Sequence, residues 1–209
     1  MKSHAAHPVV SELLREGTAR VCYIHRDLRD VAVSMISTWG WRRERLAHAL
    51  GKEVGNYTML HSMRERAPER FVWQRYEQGM ADPVTAVREV ADLLDLSVDY
   101  DVVSRVVSEC SLDAAKASCV VGREAVRERI RAESATGGPS QAARALQQMG
   151  RGQANATLFM VDTRTQLMYN HISRHEGRSG VWRDALPKAE LAMIMDTYGG
   201  WLADAGYDV

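Results

Sequence analysis

A short apolar stretch that runs directly into a helical pattern limits the folds open to this chain more than any other feature. Residues 20–25 are rich in β-branched and aromatic side chains, which is typical of a strand buried on both faces. A helical pattern starts near Asp30, and the positions that recur at helical spacing are Val31, Ser34, Met35 and Thr38. A strand, a tight turn and a helix make half of a βαβ unit, so the sequence predicts an α/β fold.

Further along the chain, the pattern of strand followed by helix repeats once. Residues 70–76 form a second predicted strand after the turn at 67–69. Asp82-Pro83 is a strong helix start, because Asp is a good N-cap and Pro suits the first helical position. A third strand is expected around residues 1–4.

The second half of the chain carries weaker signals until its end. Residues 98–117 are predicted to be helical, 122–133 form a charged amphipathic stretch, and a short helix is expected between loops at 135–140 and 150–153. The last helix is predicted to begin near Pro187 and to end before Gly206. We expect a single domain over 1–209, with 118–162 as a lid or insertion.

Composition narrows the function classes. The chain has 27 basic and 27 acidic residues, so it lacks the basic surplus typical of nucleic-acid-binding proteins. No apolar run approaches the roughly 20 residues that span a bilayer, and the first residues lack a signal-peptide core. Three cysteines without a CxxC motif indicate reduced thiols. We therefore expect a cytoplasmic protein without nucleic-acid or membrane partners.

Arg26 and Ser34 are the first candidates for a binding site. Arg26 follows the predicted strand, and Ser34 lies about one turn into the next helix. Ligands of open α/β sheets lie outside the carboxyl ends of the strands, where a helix N-terminus and an Arg favour a phosphate. The residues alone also allow Arg26 to form a surface ion pair with Asp27 or Asp30, and without the resemblance they favour that alternative.

The segment 23–34 (Tyr-Ile-His-Arg-Asp-Leu-Arg-Asp-Val-Ala-Val-Ser) resembles the 3′-phosphate motif of sulfotransferases that use 3′-phosphoadenosine 5′-phosphosulfate (PAPS). That motif ends a strand with an Arg and places a Ser eight positions later, as Arg26 and Ser34 are spaced here. The resemblance implies that these two residues hold the 3′-phosphate of PAPS.

A second segment of the same family lies at the start of the chain. Lys2-Ser3-His4 resembles the family's Lys-Thr-His strand end, at a spacing from Arg26 that is usual in its cytosolic members. The resemblance implies that His4 is the general base and that Lys2 stabilises charge at the transferring group. A His suits this role because its ordinary pKa lies near working pH.

Two further segments follow in the family's order. Residues 75–77 (Arg-Tyr-Glu), with Asp82-Pro83 after them, resemble the segment whose Tyr contacts the adenine, so the resemblance assigns that role to Tyr76. Cys110-Ser111-Leu112 stands where the family has a Thr-Ser-Phe-like segment beside the adenine, and it departs from that pattern at Cys110 and Leu112.

The last matching segment is 177–183, which resembles a Gly-x-x-Gly-Asp-Trp loop that follows an Arg-Lys pair on the 3′-phosphate. Here His175 and Glu176 precede Gly177, and a Glu beside a phosphate is unfavourable. Arg174 or Arg178 is therefore expected to take over the contact, while Gly177 suits a close backbone approach to an anion. His171 and His175 have metal-ligand spacing without a third ligand, so no metal is expected.

The resemblance runs from Lys2 to Val209 and implies a parallel sheet flanked by helices, related to the P-loop kinases. It does not include the family's N-terminal Gly-rich phosphosulfate loop and the strand before it. Three explanations stay open: a fragment, which we favour, a second chain that supplies the loop, or a relative that has lost catalysis.

The sequence therefore predicts a transferase that moves a sulfuryl group from PAPS to a hydroxyl or amine of a small molecule or carbohydrate, inactive as these 209 residues alone. Homo-oligomerisation is a further expectation. The main alternative is a non-catalytic protein that binds the product 3′-phosphoadenosine 5′-phosphate (PAP) or serves as an interaction module. A P-loop kinase acting on a nucleotide is disfavoured, because the sequence has no Walker-type Gly-Lys-Ser/Thr.

Overall fold

A computed structural model of the chain describes residues 8–135, 160–162, 167–168, 172 and 175–209. The chain divides into two compact units. The first comprises Met1–Val107 and Arg178–Val209, and the second comprises Ser108–Gly177. The predicted strand at residues 1–4, the loop at 136–140 and the short helix after it lie outside the described residues. The single domain with a lid at 118–162 stays a prediction.

The first unit contains the described sheet β1–β2 and most of the described helices. In chain order its elements are α1 (Pro8–Arg15), β1 (Val21–His25), α2 (Leu28–Trp39), α3 (Arg43–Arg66), β2 (Phe71–Arg75), α4 (Tyr76–Ala81), α5 (Pro83–Leu93), most of α6 (Tyr100–Glu109), α8 (Trp182–Ala185) and α9 (Lys188–Asp204).

The two strands of this unit are parallel neighbours, in register from Val21 opposite Phe71 to His25 opposite Arg75. Helices lie on both faces of β2, because the Trp73 ring packs against Tyr57 of α3 while the Gln74 amide donates to the Ala86 carbonyl of α5. The described residues thus form a mixed, helix-rich fold with a small parallel sheet. The relation to the P-loop kinases stays a prediction.

Helix α2 begins and ends for local reasons. Asp27 is its N-cap, with a side chain that accepts a hydrogen bond from the Arg29 amide at 2.9 Å. Gly40 ends the helix in the left-handed conformation, and its amide donates to the Ile36 carbonyl. The helix starts at Leu28, two residues before the predicted start near Asp30, because the cap lies at Asp27.

The larger hydrophobic core of this unit lies where α2, α3 and α9 meet. Its buried members are Leu28, Ala32, Val33, Leu46, Leu50, Leu186, Ile194, Leu202, Ala205 and Tyr207. A smaller cluster joins α1, α3 and β2 through Leu14, Leu60 and Phe71. Packing of the first turn of α2 into the larger core fixes the turn that precedes it.

Several sequence predictions are confirmed and others are wrong. The strands at 21–25 and 71–75, the helix start at Asp82-Pro83 and the helix after Pro187 are confirmed.

Tyr76 is the first residue of α4 and not the last residue of a strand. The helical prediction over 98–117 is confirmed for 100–109 and 112–117, but the structure breaks it into two helices: α6 ends at Glu109, and the next helix begins at Leu112. Ser111 caps that second helix, since its hydroxyl accepts from the Ala114 amide.

The second unit contains α7 (Leu112–Ala135) and the short antiparallel strands β3 (Met160–Asp162) and β4 (Leu167–Met168). The charged stretch 122–133 lies within α7. Lys116 of this helix pairs with Glu176 at 2.8 Å. None of the helices in the described parts of either unit is long and apolar enough to cross a bilayer.

Candidate functional site: the turn after β1

Arg26 lies in the turn between β1 and α2, and three chemically different groups orient its side chain. Its guanidinium carbon lies 4.3 Å from the centroid of the Tyr76 ring. Its Nη2 donates to the backbone carbonyl of Arg178 at 2.7 Å and lies 4.0 Å from Asp30 Oδ2. With the side chain 20% exposed, the guanidinium is held in place and still reaches solvent. The structure therefore brings the Tyr76 ring and the Arg178 carbonyl to Arg26, while their role in one phosphate site stays a prediction.

Asp30 holds a distant part of the chain against this turn. Its carboxylate accepts hydrogen bonds from the backbone amides of Gly180, at 2.7 Å, and Trp182, at 3.0 Å. The Asp30 side chain is only 1% exposed. Of the two ion-pair partners that the sequence left open for Arg26, Asp30 is thus the nearby one, and its main contacts are with the loop of residues 178–182. Residues 178–182 are called the 178–182 loop.

The other buried acid of the turn has a local partner. Both oxygens of Asp27 accept from the guanidinium of Arg29, and the shortest of these contacts is 2.8 Å. Arg29 is 3% exposed, and its guanidinium stacks on the Trp182 ring at 3.9 Å. Arg29 and Trp182 are not among the site residues predicted from the sequence. An Arg between two Asp in the first turn of a helix that is otherwise apolar was the available signal.

An open cavity of about 350 Å³ lies beside these groups in the first unit. It is lined by Asp27, Arg29, Asp30, Arg75, Glu77, Ser179, Gly180, Trp182, Arg183, Gly206, Tyr207 and Asp208. The carboxylates of Asp27, Asp30 and Glu77 already accept hydrogen bonds from protein donors. Arg183 and Asp208 in the lining are exposed, so the cavity wall carries one further donor and one further acceptor.

Below the turn, His25 ends β1 in an aromatic environment. Its ring packs against Tyr57, Trp73 and Tyr207, and its Nδ1 lies 3.1 Å from Tyr207 Oη. Burial, assisted by the charge of Arg75, lowers the pKa of His25 to about 4. Burial also raises the pKa of Tyr207. His25 is thus a neutral core residue at neutral pH.

A hydrogen-bonded chain connects this aromatic cluster to the turn. Tyr207 Oη donates to Glu77 Oε2 at 3.4 Å, and Glu77 Oε1 accepts from the Asp27 amide at 3.2 Å. Glu77 follows Tyr76 on α4, so α4 supports the β1–α2 turn from the side of β2. The sequence analysis missed Glu77, whose position beside Tyr76 was the only signal.

Ser34 lies in the second turn of α2 and is half-buried. Its backbone carbonyl accepts from the Ser37 hydroxyl at 3.1 Å. Of the two predicted phosphate ligands, Ser34 therefore lies within α2, and Arg26 lies two residues before that helix begins.

The remaining predicted residues lie outside the described residues or belong to the second unit, so their roles stay predictions. Lys2, His4 and Arg174 lie outside the described residues. Cys110 is exposed between α6 and α7 and belongs to the second unit. Gly177 lies in the same unit, with a φ of 71°, which suits the glycine expected there. Glu176, expected to disfavour a phosphate, has its carboxylate engaged by Lys116.

A family model described as "Sulfotransferase domain" matches residues 1–144, which is more than half of the chain. No curated protein matches the chain. The matched range includes Lys2, His4, Arg26, Ser34 and Tyr76. The 178–182 loop lies beyond the matched range, and its connection to Arg26 rests on the geometry and on the resemblance of residues 177–183.

Proposed function

The chain belongs to the sulfotransferase domain family, and from this membership we propose that Arg26 and Ser34 bind the 3′-phosphate of PAPS for sulfuryl transfer. Sulfuryl transfer in general follows from the family. The identity of the donor, the binding residues and the acceptor are the proposal. The acceptor is a hydroxyl or amine of a small molecule or carbohydrate.

The observation that carries the proposal is the environment of Arg26. Its guanidinium is ordered by the Tyr76 ring, the Arg178 carbonyl and the Asp30 carboxylate, and part of it stays open to solvent. An Arg fixed in this way binds a phosphate at a smaller entropic cost than a mobile one. Because Asp30 neutralises only part of its charge at 4.0 Å, a dianionic phosphate remains a favourable additional partner.

The residues around Arg26 fit a nucleotide that carries a 3′-phosphate. The Tyr76 ring is half-buried beside the guanidinium, which supports its role near the adenine. The exposed Arg178 follows Gly177 and supplies a second cation within the same stretch of chain. Arg174, Cys110 and Gly177 remain proposed contacts by resemblance.

In the proposed reaction, the acceptor oxygen or nitrogen attacks the sulfur of PAPS. The bond between that sulfur and the bridging phosphate oxygen breaks, and PAP leaves with the electron pair. His4 takes the proton from the acceptor, and Lys2 stabilises the charge that develops on the leaving oxygen. Holding the 3′-phosphate at Arg26 contributes positioning, since its contacts lie away from the reacting atoms.

Calorimetry with PAP and 5′-AMP tests the binding assignment, because these nucleotides differ by the 3′-phosphate. The protein should bind PAP more tightly, and Arg26→Ala should lose about 2–3 kcal/mol of PAP affinity, the scale of a charge-assisted hydrogen bond. Arg20→Ala is the matched control: Arg20 precedes the opposite end of β1 and pairs with Asp95, so its loss should leave PAP affinity unchanged. Equal affinity of the unmutated protein for the two nucleotides contradicts the assignment.

A non-catalytic PAP-binding or interaction protein is the second candidate, because the contacts around Arg26 concern only the 3′ side of the nucleotide. The 209 residues contain no Gly-rich phosphosulfate loop with its Lys. We therefore expect them alone to give background transfer from radiolabelled PAPS to a panel of phenols, alcohols and amines. Clear turnover by these residues alone would exclude the non-catalytic candidate and would show that they bind the 5′-phosphosulfate by other means.

A further inference from the structure

We propose that Asp30 is a positioning residue that fixes the 178–182 loop against Arg26 and thereby sets the affinity for the 3′-phosphate. The inference rests on the proposed function, since it assigns to Arg26 the phosphate that Asp30 helps it to bind. Asp30 itself would not touch the nucleotide.

The contacts between the turn and the loop match donors with acceptors. Arg26 donates to the carbonyl of Arg178, while Asp30, one helical turn later, accepts from the amides of Gly180 and Trp182. Two side chains spaced i and i+4 thus hold three backbone groups of a segment 150 residues away. Because a carbonyl and two amides are bound at once, the loop has one favourable orientation on the turn.

The burial of Asp30 makes this arrangement cooperative. A carboxylate with 1% exposure is costly unless hydrogen bonds and a counter-charge compensate it. The two amides supply the hydrogen bonds, and Arg26 supplies the counter-charge at 4.0 Å. Displacing the loop would remove the hydrogen bonds and leave Asp30 to draw Arg26 toward itself. Loop position and Arg26 orientation therefore depend on the same carboxylate.

The loop backbone is adapted to this contact. Gly180 has a φ of 75°, and a Cβ at this position would lie 2.7 Å from Arg183 Nη1. The Gly180 amide can point at Asp30 in this left-handed conformation, which glycine adopts without strain. The carboxylate of the neighbouring buried acid, Asp27, accepts hydrogen bonds from the guanidinium and the backbone amide of Arg29. Of these two acids, Asp30 is therefore the one that binds the loop backbone.

The substitution Asp30→Asn tests the role at nearly constant volume. An amide side chain has one acceptor oxygen, so it can satisfy at most one of the two loop amides, and its NH₂ group opposes the other. PAP affinity should fall at least about tenfold, the scale of one lost charge-assisted hydrogen bond, while 5′-AMP affinity stays the same. Val33→Ala, a core substitution in the next turn of α2, is the control for lost stability and should preserve the ratio of the two affinities.

Hydrogen exchange of the Gly180 and Trp182 amides tests the same inference, and its first result comes from the unmutated protein. Both amides should be protected in the unmutated protein, with protection rising on addition of PAP, and should exchange rapidly in Asp30→Asn. Rapid exchange of both amides in the PAP-bound protein would overturn the inference, whether or not the variant folds. An unchanged ratio of PAP affinity to 5′-AMP affinity in Asp30→Asn would also overturn it, whether both affinities stay the same or fall equally. If the unmutated protein does not distinguish the nucleotides, the proposed function fails instead.

Discussion

Two turns of the first unit each place an aspartate at the N-cap of the helix that follows, Asp27 before α2 and Asp82 between α4 and α5, and the two turns differ in what surrounds that cap. The turn after β1 buries the charged side chains of Asp27, Arg29 and Asp30, and Asp30 binds backbone groups 150 residues away. Beyond β2, Asp82 is exposed and caps α5 through the Thr85 amide, three residues on. The carboxylates of Asp30 and Asp82 both accept hydrogen bonds from backbone amides. The amide bonded to Asp82 lies in the helix that Asp82 caps, whereas the amides bonded to Asp30 belong to a distant part of the chain.

This difference separates the proposed binding turn from a turn with a local structural role. A local cap such as Asp82 stabilises its own helix and is satisfied by nearby groups. The buried charges after β1 require partners from elsewhere in the chain, and meeting that requirement assembles Arg26, Tyr76 and the 178–182 loop. The following predictions test how far the two turns differ.

Asp30→Ala should produce the largest loss of stability. The substitution leaves two amides without an acceptor and Arg26 without its counter-charge, which should cost about 3 kcal/mol of unfolding free energy. Urea denaturation with an unchanged m-value would measure it. A loss no greater than that of Asp82→Ala would remove the distinction between the two turns.

His25 extends the comparison to pH, since it precedes the buried turn and lies opposite Arg75 in the register. Its folded pKa of about 4 lies below the ordinary value of 6.5, so the unfolded chain binds the proton more readily. The contribution of His25 to stability is therefore complete above about pH 6.5 and is lost progressively as the pH falls toward 4. Denaturation across this range should show a slope that His25→Gln reduces.

Gly180→Ala tests whether the loop conformation is required. A side chain at a φ of 75° is strained and would displace the Arg183 side chain, so we expect a loss of about 1 kcal/mol. Gly55→Ala in α3 is the matched control, because a Cβ there meets nothing within 4 Å and alanine favours the helix. Thermal denaturation should therefore shift in opposite directions, and shifts of the same sign would contradict the role of the loop backbone.

Asp82→Ala should give the smallest effect. It removes an exposed cap and nothing beyond α5, so PAP affinity should be unchanged and the loss of stability the least of the four. The hydrogen bond from Thr85 lowers the pKa of Asp82, so its contribution disappears at acid pH. A drop in PAP affinity in this variant would show that the turn between α4 and α5 does more than cap a helix.

Local patterns were sufficient to predict the elements around the site. The apolar run of β1, the Asp-Pro start of α5 and the end of α9 depend on neighbouring residues, and all three are confirmed. Helix α3 was missed although it spans 24 residues, because only Leu46, Leu50 and Leu60 are buried along it and the apolar period is faint. The break at Cys110 was missed because the cap at Ser111 interrupts an otherwise continuous helical pattern.

The site itself was predictable only in part. Arg26, Ser34 and Tyr76 come from a motif resemblance, and the structure brings Arg26 and Tyr76 together with Arg178. The role of Asp30 depends on two amides 150 and 152 residues away, and no local pattern encodes such partners. An acid four residues after Arg26 was visible in the sequence, but its burial was not.

Phosphorus NMR of PAP titrated with the protein tests the central claim most directly, because the 3′- and 5′-phosphates give separate resonances. The account predicts that the 3′ resonance shifts and broadens on binding, and that Arg26→Ala abolishes this change while Arg20→Ala preserves it. A change confined to the 5′ resonance, or a 3′ change that persists in Arg26→Ala, would contradict the assignment of the 3′-phosphate to the turn after β1.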